Sequence, residues 1–364
     1  MARALTSFTL LELEALLSEE LGEPKFRATQ VLQWLYQKRA TSFDSMSNLG
    51  IALREWLAQN LTLRSLSVVR QQGSSDSTRK LLLKLGDGRL IECVLIPANP
   101  ALYGEPDDRL TLCVSSQVGC AFACKFCASG LAGFTRNLSA DEIVEQVLLA
   151  ELLSSQRVDN LVFMGMGEPF ANLPNLLKAI EILNAPWGLR LGARHMTVST
   201  SGLAPQIRKF ADQPLQIRLA VSLHGASDEV RDRIMPINQR YNLEELFDAL
   251  HYYAERKKQK ITFEYILIEG VNDSLHEAES LARRAKPLRA KVNLIPYNTV
   301  DGLEWARPSD SQQEAFLATL KRLGIQATLR REKGHDIDAA CGQLRLREEQ
   351  SALSEPKPTE DTSG

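Results

Sequence analysis

From Leu110 onward the chain alternates short apolar runs with longer amphipathic ones, and no other feature restricts its fold so tightly. The apolar runs are LTLCVSS, NLVFMGM, HMTVSTS, IRLAVSL, ITFEYILI and KVNLIPY, all of strand length. Segments of helical periodicity lie between them. SADEIVEQVLLAELL opens with Ser139 and Glu142 at the spacing of a capping box, and NLEELFDALHYYAER does so with Asn242 and Glu245. SQQEAFLATLKRLG starts at Ser311 and stops at Gly324. Such alternation implies a parallel sheet with helices outside it. Six units predict an α/β fold, an incomplete (β/α)6 barrel; a doubly wound sheet is the alternative.

The segments before Leu110 follow other patterns. Residues 1–63 read as an all-helical accessory domain, because PKFRATQVLQWLYQK and LGIALREWLAQNL both carry apolar residues at helical spacing. RKLLLKLGDGRLIECVLIP predicts a hairpin turning at Gly86-Asp87-Gly88, within a linker or extension over 64–109. The barrel and a C-terminal cysteine segment then occupy 110–346. The tail over 347–364 is polar, charged and proline-bearing, which predicts disorder.

With 364 residues, 44% of them apolar, one large domain and a smaller one can each bury a core. No apolar run approaches a membrane span. The start, MARALTSFTLLELEALLSEE, carries acids and lacks the regions of a signal peptide, so a cytoplasmic protein is predicted. The net charge of −2 gives no global sign of a nucleic-acid partner. Locally, Lys25, Arg27, Lys38 and Arg39 gather without an acid among Phe26, Trp34 and Tyr36. That stretch suits either phosphates and unstacked bases or a solvated helix face with its aromatics in the core. A second basic, acid-free stretch runs from Leu281 to Lys291.

Six cysteines in a chain of this length point to metal or redox chemistry in a reducing compartment, not to a disulfide scaffold. Three of them fall within VSSQVGCAFACKFCASG: Cys120, Cys124 and Cys127. A closed zinc site takes four ligands. A cubane iron–sulfur cluster has four iron corners, so three thiolates leave one open. The alternative is zinc with a distant fourth ligand, for which His195, His224 and His335 are candidates. Outside the triplet, Cys93 alternates with Ile91 and Leu95 as a core residue would, and Cys113 sits in a strand seven residues before Cys120. Cys341 lies among small neighbours in Ala-Ala-Cys-Gly, which suits either a closely approached loop or a buried turn. Glu92 shares a strand face with Leu90, Val94 and Ile96; buried, it suits a base acting near neutrality, and on an edge strand it would face solvent.

C-x3-C-x-aromatic-C, written as Cys120, Cys124, Phe126 and Cys127, resembles the radical S-adenosylmethionine superfamily. Gly165-Met166-Gly167-Glu168-Pro169, one β/α unit later, resembles that superfamily's GGEP-type segment. Cys113-VSSQVG-Cys120, GFTRNLSADEI, VSTSG, AVSLHGASDEVRDRIMPIN, NLIPYN and GHDIDAACGQL together resemble the RNA adenine methyltransferases of the RlmN/Cfr group, from about residue 5 to 346. The chain is more similar to the RlmN type.

That resemblance implies a [4Fe-4S] cluster on Cys120, Cys124 and Cys127. It implies S-adenosylmethionine bound by Gly167, Glu168, Ser199, Ser222, Leu223, His224 and Asn298. Cys341 would be methylated and carry the transferred carbon, Cys113 would resolve the adduct through a transient disulfide, and Glu92 would accept a proton. The implied reaction methylates adenine C2 in large-subunit rRNA and in the tRNA adenine just 3′ of the anticodon, with two S-adenosylmethionine molecules and a flavodoxin-type electron donor. A monomer is expected. Two alternatives stand beside this: C8 methylation of the Cfr type, and a non-enzymatic zinc-bearing RNA-binding protein. The chemistry is coherent with the residues. Adenine C2 is electron-poor and carries no proton a mild base removes, so polar displacement lacks a nucleophile. A thiolate accepts a methyl group readily, and release of a carbon held on sulfur calls for a second thiol.

Overall fold

The computed structural model describes residues 3–74, 77–98, 109–131, 133–300, 302–330, 343–346 and 348. At the N-terminus β1 (Arg3–Ala4) precedes α1 (Leu10–Leu21), α2 (Phe26–Tyr36) and α3 (Ile51–Asn60), and β2 (Leu61–Thr62) returns to pair with β1 in parallel. Thr9 and Glu12 form a capping box at the start of α1, and Gly22 ends it in the left-handed region at φ 63°. Leu13 and Leu17 of α1, Val31, Leu32 and Leu35 of α2, and Leu53 and Leu57 of α3 supply the shared core.

Three antiparallel strands follow: β3 (Ser67–Gly73), β4 (Arg79–Lys84) and β5 (Leu90–Pro97). Next come β6 (Leu110–Cys113), β7 (Gln117–Gly119), α4 (Ala128–Leu131), β8 (Phe134–Asn137), α5 (Ala140–Ser154) and β9 (Asn160–Phe163). Alternation then continues through α6 (Leu173–Asn184), β10 (Met196–Thr200), α7 (Ala204–Ala211), β11 (Arg218–Ser222), α8 (Asp228–Ile234), α9 (Leu243–Lys257), β12 (Thr262–Leu267), α10 (Leu275–Ala285), β13 (Lys291–Pro296), α11 (Asp310–Arg322) and β14 (Ala327–Leu329).

One ten-stranded sheet runs in the order β14-β13-β12-β11-β10-β9-β6-β5-β4-β3. The six predicted strands β6 and β9 to β13 are neighbours and parallel, which excludes the crossover order of a doubly wound sheet. β14 adds a seventh parallel strand that the sequence reading did not anticipate. β14 and β3 do not pair, so the barrel is incomplete. On the far side of β6, β5 joins antiparallel, so β3–β5 continue the barrel sheet directly.

The capping boxes at Asn242/Glu245 and Ser139/Glu142 are present. The last helix is capped by Ser309, whose hydroxyl accepts from Gln312 N–H, two residues ahead of the predicted start at Ser311. Glu145 of α5 fastens the N-terminal helices to the barrel. Its buried carboxylate accepts from Thr6 Oγ1 at 2.7 Å, Ser65 N at 2.7 Å and Leu66 N at 2.9 Å. Burial still pushes that carboxyl above its ordinary value. The tail over 347–364 lies outside the described residues apart from Glu348, which pairs with Arg70 at 2.8 Å.

Candidate active site

The C-terminal ends of the parallel strands open onto a cavity of about 320 Å³. β/α barrels place their chemistry at this end, because consecutive strand-to-helix loops converge there. Cys120, Cys124 and Cys127 line it from one loop; Gly167 and Glu168, Ser199, Ser222 and His224, and Asn298 line it from four others. Leu223 does not: its side chain is fully buried in the core, its N–H donates to Glu264 O at 3.0 Å and its carbonyl accepts from Arg231.

The cysteine loop is held at its base. β7 and β8 pair antiparallel around it, and Cys120 N donates to Gly133 O at 3.0 Å. Gly119 has φ 76°, and a Cβ there would lie 1.8 Å from Gly133 O, so no other residue fits. Mid-loop, Lys125 N donates to Ile234 O at 3.0 Å, and Trp305 Nε1 donates to Lys125 O at 2.8 Å. Burial pushes the Cys120 thiol up to about 12 and the Cys124 thiol well above its ordinary value, and the neighbouring cysteine sulfurs add to both. A cationic iron cluster would relieve the cost of ionising these two thiols so close to a third sulfur. Among the described residues no group of three His, Cys, Asp or Glu side chains is arranged around a single ion. His195, one proposed zinc ligand, stands before β10 at the opposite strand end, bonded to Asn160 at 3.1 Å; His335 lies outside the described residues.

The Gly165–Pro169 loop depends on close backbone approach. A Cβ on Gly165 would meet Val114 O at 2.7 Å, and one on Gly167, which has φ 100°, would meet Gln117 Cβ at 2.5 Å. Gln117 Oε1 accepts from Glu168 N–H at 2.8 Å. The Glu168 carboxylate is buried and accepts from Phe170 N at 3.0 Å and Ser201 N at 2.7 Å. Burial raises its carboxyl above the ordinary range against those hydrogen bonds. A buried carboxylate on the cavity wall can also accept from an ammonium there.

On the β10–β11 wall, Ser199 Oγ and Ser222 Oγ lie 3.3 Å apart. Thr200 Oγ1 instead caps the following turn, accepting from Gly202 N at 3.2 Å. Behind the wall Arg231 is fully buried. It donates from Nη2 to Ser201 O at 3.0 Å, from Nε to Asn238 Oδ1 at 2.9 Å, and from Nη1 to Leu223 O, tying the two strand-end loops together. His224 has φ 56°, rare for a side-chain-bearing residue. Its Nδ1 accepts from Ile266 N at 3.0 Å, which leaves the ring proton on Nε2. Burial and then the Arg231 charge hold the imidazole down to about 3, so it is neutral. Its ring stands edge-on to Phe126 at 4.9 Å, linking the cysteine loop to β11.

One buried polar atom on the cavity wall, Asn298 Oδ1, has no hydrogen-bond partner, and Ser201 Oγ and Tyr297 Oη have none but weak contacts to Glu168 and Val300 N. Buried polar groups are normally satisfied, so this orphan fits a polar ligand, and the glycine cradle and ammonium-ready Glu168 fit an amino acid end. The sequence reading missed Tyr297, Arg231, Arg330 and Glu264. Glu264 is buried on the cavity wall, accepts from Asn293 Nδ2 at 2.8 Å, and has its carboxyl raised by burial.

Cys113 and Glu92 do not line the cavity. Cys113 ends β6, buried, opposite Val94 of β5 and beside Val162 of β9. Cys93 is core, and burial drives its thiol up. Glu92 is 3% exposed, so the solvent-facing edge-strand alternative fails. Nor does it stand alone on an apolar face: Lys80 Nζ lies 3.1 Å from it. Period-2 pairing about Asp87 carried that signal, because a lysine inside RKLLLKLG falls on the face of Glu92. Cys341 lies outside the described residues.

The N-terminal basic stretch is divided. Tyr36 is buried against Trp187, so it offers no stacking face. Arg39 pairs with Glu151, and Arg27 with Glu23 at 3.5 Å. Lys25 is exposed, and so is Lys38, which lies over the Trp34 ring at 3.7 Å. No helix among the described residues is long and apolar enough to cross a membrane.

A family model described as the radical SAM superfamily matches residues 114–282, and one described as the ribosomal RNA large subunit methyltransferase N-terminal domain matches residues 4–63. The chain is 54% identical over 346 residues to the "Probable dual-specificity RNA methyltransferase RlmN" of Akkermansia muciniphila, covering 95% of this chain and 96% of that one. It is 54% identical over 358 residues to the "Probable dual-specificity RNA methyltransferase RlmN 3" of Opitutus terrae, covering 95% of each. A solved radical SAM methyltransferase from Sphaerobacter thermophilus superposes with a TM-score of 0.88 at 44% identity, covering 94% of this chain and 98% of that one.

Proposed function

Because the chain belongs to the RlmN family of radical S-adenosylmethionine RNA methyltransferases, we propose that it methylates adenine C2 in large-subunit rRNA and in tRNA, with its methyl group passing through Cys341. The observation that carries this reading is the shared cavity: three thiols on one loop line it together with Glu168 and the unpartnered, buried Asn298 Oδ1.

Cys120, Cys124 and Cys127 would hold the cluster, and Gly167, Glu168, Ser199, Ser222, His224 and Asn298 would hold S-adenosylmethionine, with Leu223 fixing the turn between Ser222 and His224. When bound, the cluster and S-adenosylmethionine supply the methyl group and the one-electron chemistry that an unactivated ring carbon needs. Glu168 takes the ligand's ammonium, and the Asn298 amide and neighbouring hydroxyls take polar groups that would otherwise face apolar walls. Cys341 accepts a methyl group on its sulfur. Glu92 takes the proton from C2 of the adduct. Cys113 then attacks the Cys341 sulfur: the S–S bond forms, the bond from sulfur to the transferred carbon breaks, and its electron pair stays on that carbon, which gains a proton.

The target base must leave its stack to reach a carbon on a protein side chain, and the exposed Lys25 and Lys38 meet phosphates beside it. The electron donor is of the flavodoxin type, and the protein acts in the cytoplasm as a monomer. Nucleoside digests of RNA from cells with and without this protein, run against 2-methyl- and 8-methyladenosine standards, test the reading. Loss of 2-methyladenosine in the deletion is expected; loss of the 8-methyl nucleoside would move the reaction to C8. Anaerobic purification should give iron and sulfide, and one zinc with neither would remove the radical chemistry.

A further inference from the structure

Lys80 lies on β4, 1% exposed, with Nζ 3.1 Å from Glu92 Oε2. The other oxygen, Oε1, accepts from the backbone N–H of Arg345 at 2.7 Å. The two oxygens of one buried carboxylate therefore face different parts of the chain. Pairing of β4 with β5 explains the contact: Leu82 stands opposite Glu92 and Lys80 opposite Val94, so Lys80 follows two residues along on the same face. A charge sealed in a sheet needs a counter-charge, and each of these two groups answers the other. The Arg345 side of the contact is anchored as well. Leu344 and Arg345 are buried, and Glu348 pairs with Arg70 of β3. Arg345 follows Cys341 by four residues in the sequence.

We propose that Lys80 is a positioning residue for the proton transfer: by fixing Glu92 Oε2, its ammonium turns Oε1 toward the C-terminal segment that carries the carbon in transit. This rests on the reading of Glu92 as proton acceptor. Lys80 touches neither RNA nor S-adenosylmethionine in this assignment. Its removal should leave the methylation of Cys341 intact and slow only the release of the RNA adduct, the step in which Glu92 acts.

The test uses the full-length, cluster-reconstituted enzyme with an rRNA fragment, S-adenosylmethionine and a chemical reductant. Wild type, Lys80→Met, Lys80→Arg and Glu92→Gln are compared for S-methylation of the Cys341 peptide by mass, for protein–RNA adduct on denaturing gels, and for the decay rate of that adduct. Lys80→Met is expected to S-methylate Cys341 as wild type does and to release the adduct at least tenfold more slowly, with Lys80→Arg restoring most of the rate. Trapping by Glu92→Gln together with wild-type decay in Lys80→Met overturns the assignment of Lys80 and leaves Glu92 as base. Wild-type decay in Glu92→Gln overturns the base itself. Parallel loss of S-methylation and adduct release in Lys80→Met marks a scaffold residue and overturns the proposal. If Lys80→Met does not fold, Lys80→Ala, which also removes the donor to Oε2 and leaves room for water beside the carboxylate, is read in the same way.

Discussion

Gly167→Ala puts the smallest possible side chain where the cavity floor has no room. Two separable effects follow. At φ 100° any Cβ is strained, by about 1–2 kcal/mol. The new methyl would also lie 2.5 Å from Gln117 Cβ, 2.7 Å from its Cγ and 2.9 Å from its N. Overpacking of this kind costs about 1–3 kcal/mol, and backbone on one side leaves only Gln117 to move. Gly270→Ala is the control, since Gly270 has φ 65° and open space around it, so it carries the strain alone. Converted at about 2 °C per kcal/mol, the low end that suits a chain this large, Gly167→Ala should melt about 4–10 °C below wild type and Gly270→Ala about 2–4 °C below. The difference between them is the clash. Displacing Gln117 also loosens its 2.8 Å bonds to Glu168 N and from its Nε2 to Asn137. Glu168 then loses its aim, and S-adenosylmethionine affinity should fall at least about tenfold, some 1.4 kcal/mol, in Gly167→Ala and not in Gly270→Ala. Scanning calorimetry and isothermal titration on anaerobic protein measure both quantities. Equal melting temperatures and equal affinities for the two variants would refute the close-approach argument.

Arg231→Met should destabilise the protein by about 3–5 kcal/mol, because a buried guanidinium leaves its carbonyl partners unsatisfied; an unchanged melting temperature and unchanged S-adenosylmethionine affinity would show that it does not clamp the β10 and β11 loops. Glu264 has its carboxyl raised by burial, so the folded chain binds that proton more tightly than the unfolded one, and this group's contribution to stability improves as pH falls through the raised value and is least favourable above it. Glu264→Gln should accordingly raise the melting temperature of cofactor-free protein near about pH 8 and flatten its gain on acidification; a lower melting temperature there would contradict the desolvation argument. Cys113→Ala should accumulate a protein–RNA adduct visible on denaturing gels, and recovery of only free, unmodified RNA would remove its resolving role. Cys341→Ala should keep its iron and sulfide while losing methyl transfer, and persistent methylation would remove it as carrier.

What the sequence disclosed follows burial. β6 and β9 to β13 are apolar on both faces and announce themselves as continuous runs. β14 is three residues, ATL, between Gln326 and Arg330, too short to show a period. β3, SVVRQQG, is exposed along almost its whole length and looks like loop by composition. The cysteine loop was legible from spacing alone, because ligand number is a local property. Tyr36 was open to two readings, and Leu32 one helical turn before it, on the buried face, favours the core. Glu264 sat unnoticed inside ITFEYILI, since one acid in a strand does not reveal which way it faces until a register is known. Arg231 lay within a quoted motif, yet its partners at Ser201, Leu223 and Asn238 come from three other segments, a juxtaposition no local pattern encodes.

The site is built on two parts of one sheet, and their junction is a residue that faces no ligand. The parallel strand ends carry the cysteine loop, Glu168 and the β10–β11 wall, while Glu92 and Lys80 belong to the antiparallel extension. Ser115, fully buried just beyond β6, joins them: its Oγ donates to Glu92 O at 2.6 Å and accepts from Met166 N at 3.0 Å. Its own N–H and carbonyl are both taken by the Gln146 amide of α5, at 2.8 and 3.0 Å. Every polar atom of that serine is thus committed, and three segments meet on it, so the spacing between β5 and the Gly165–Pro169 loop is set by short hydrogen bonds that shift little without breaking. Ser115 therefore couples the position of Glu92 on the antiparallel extension to the backbone of the loop that carries Glu168, so a substitution that loosens one is expected to be felt at the other.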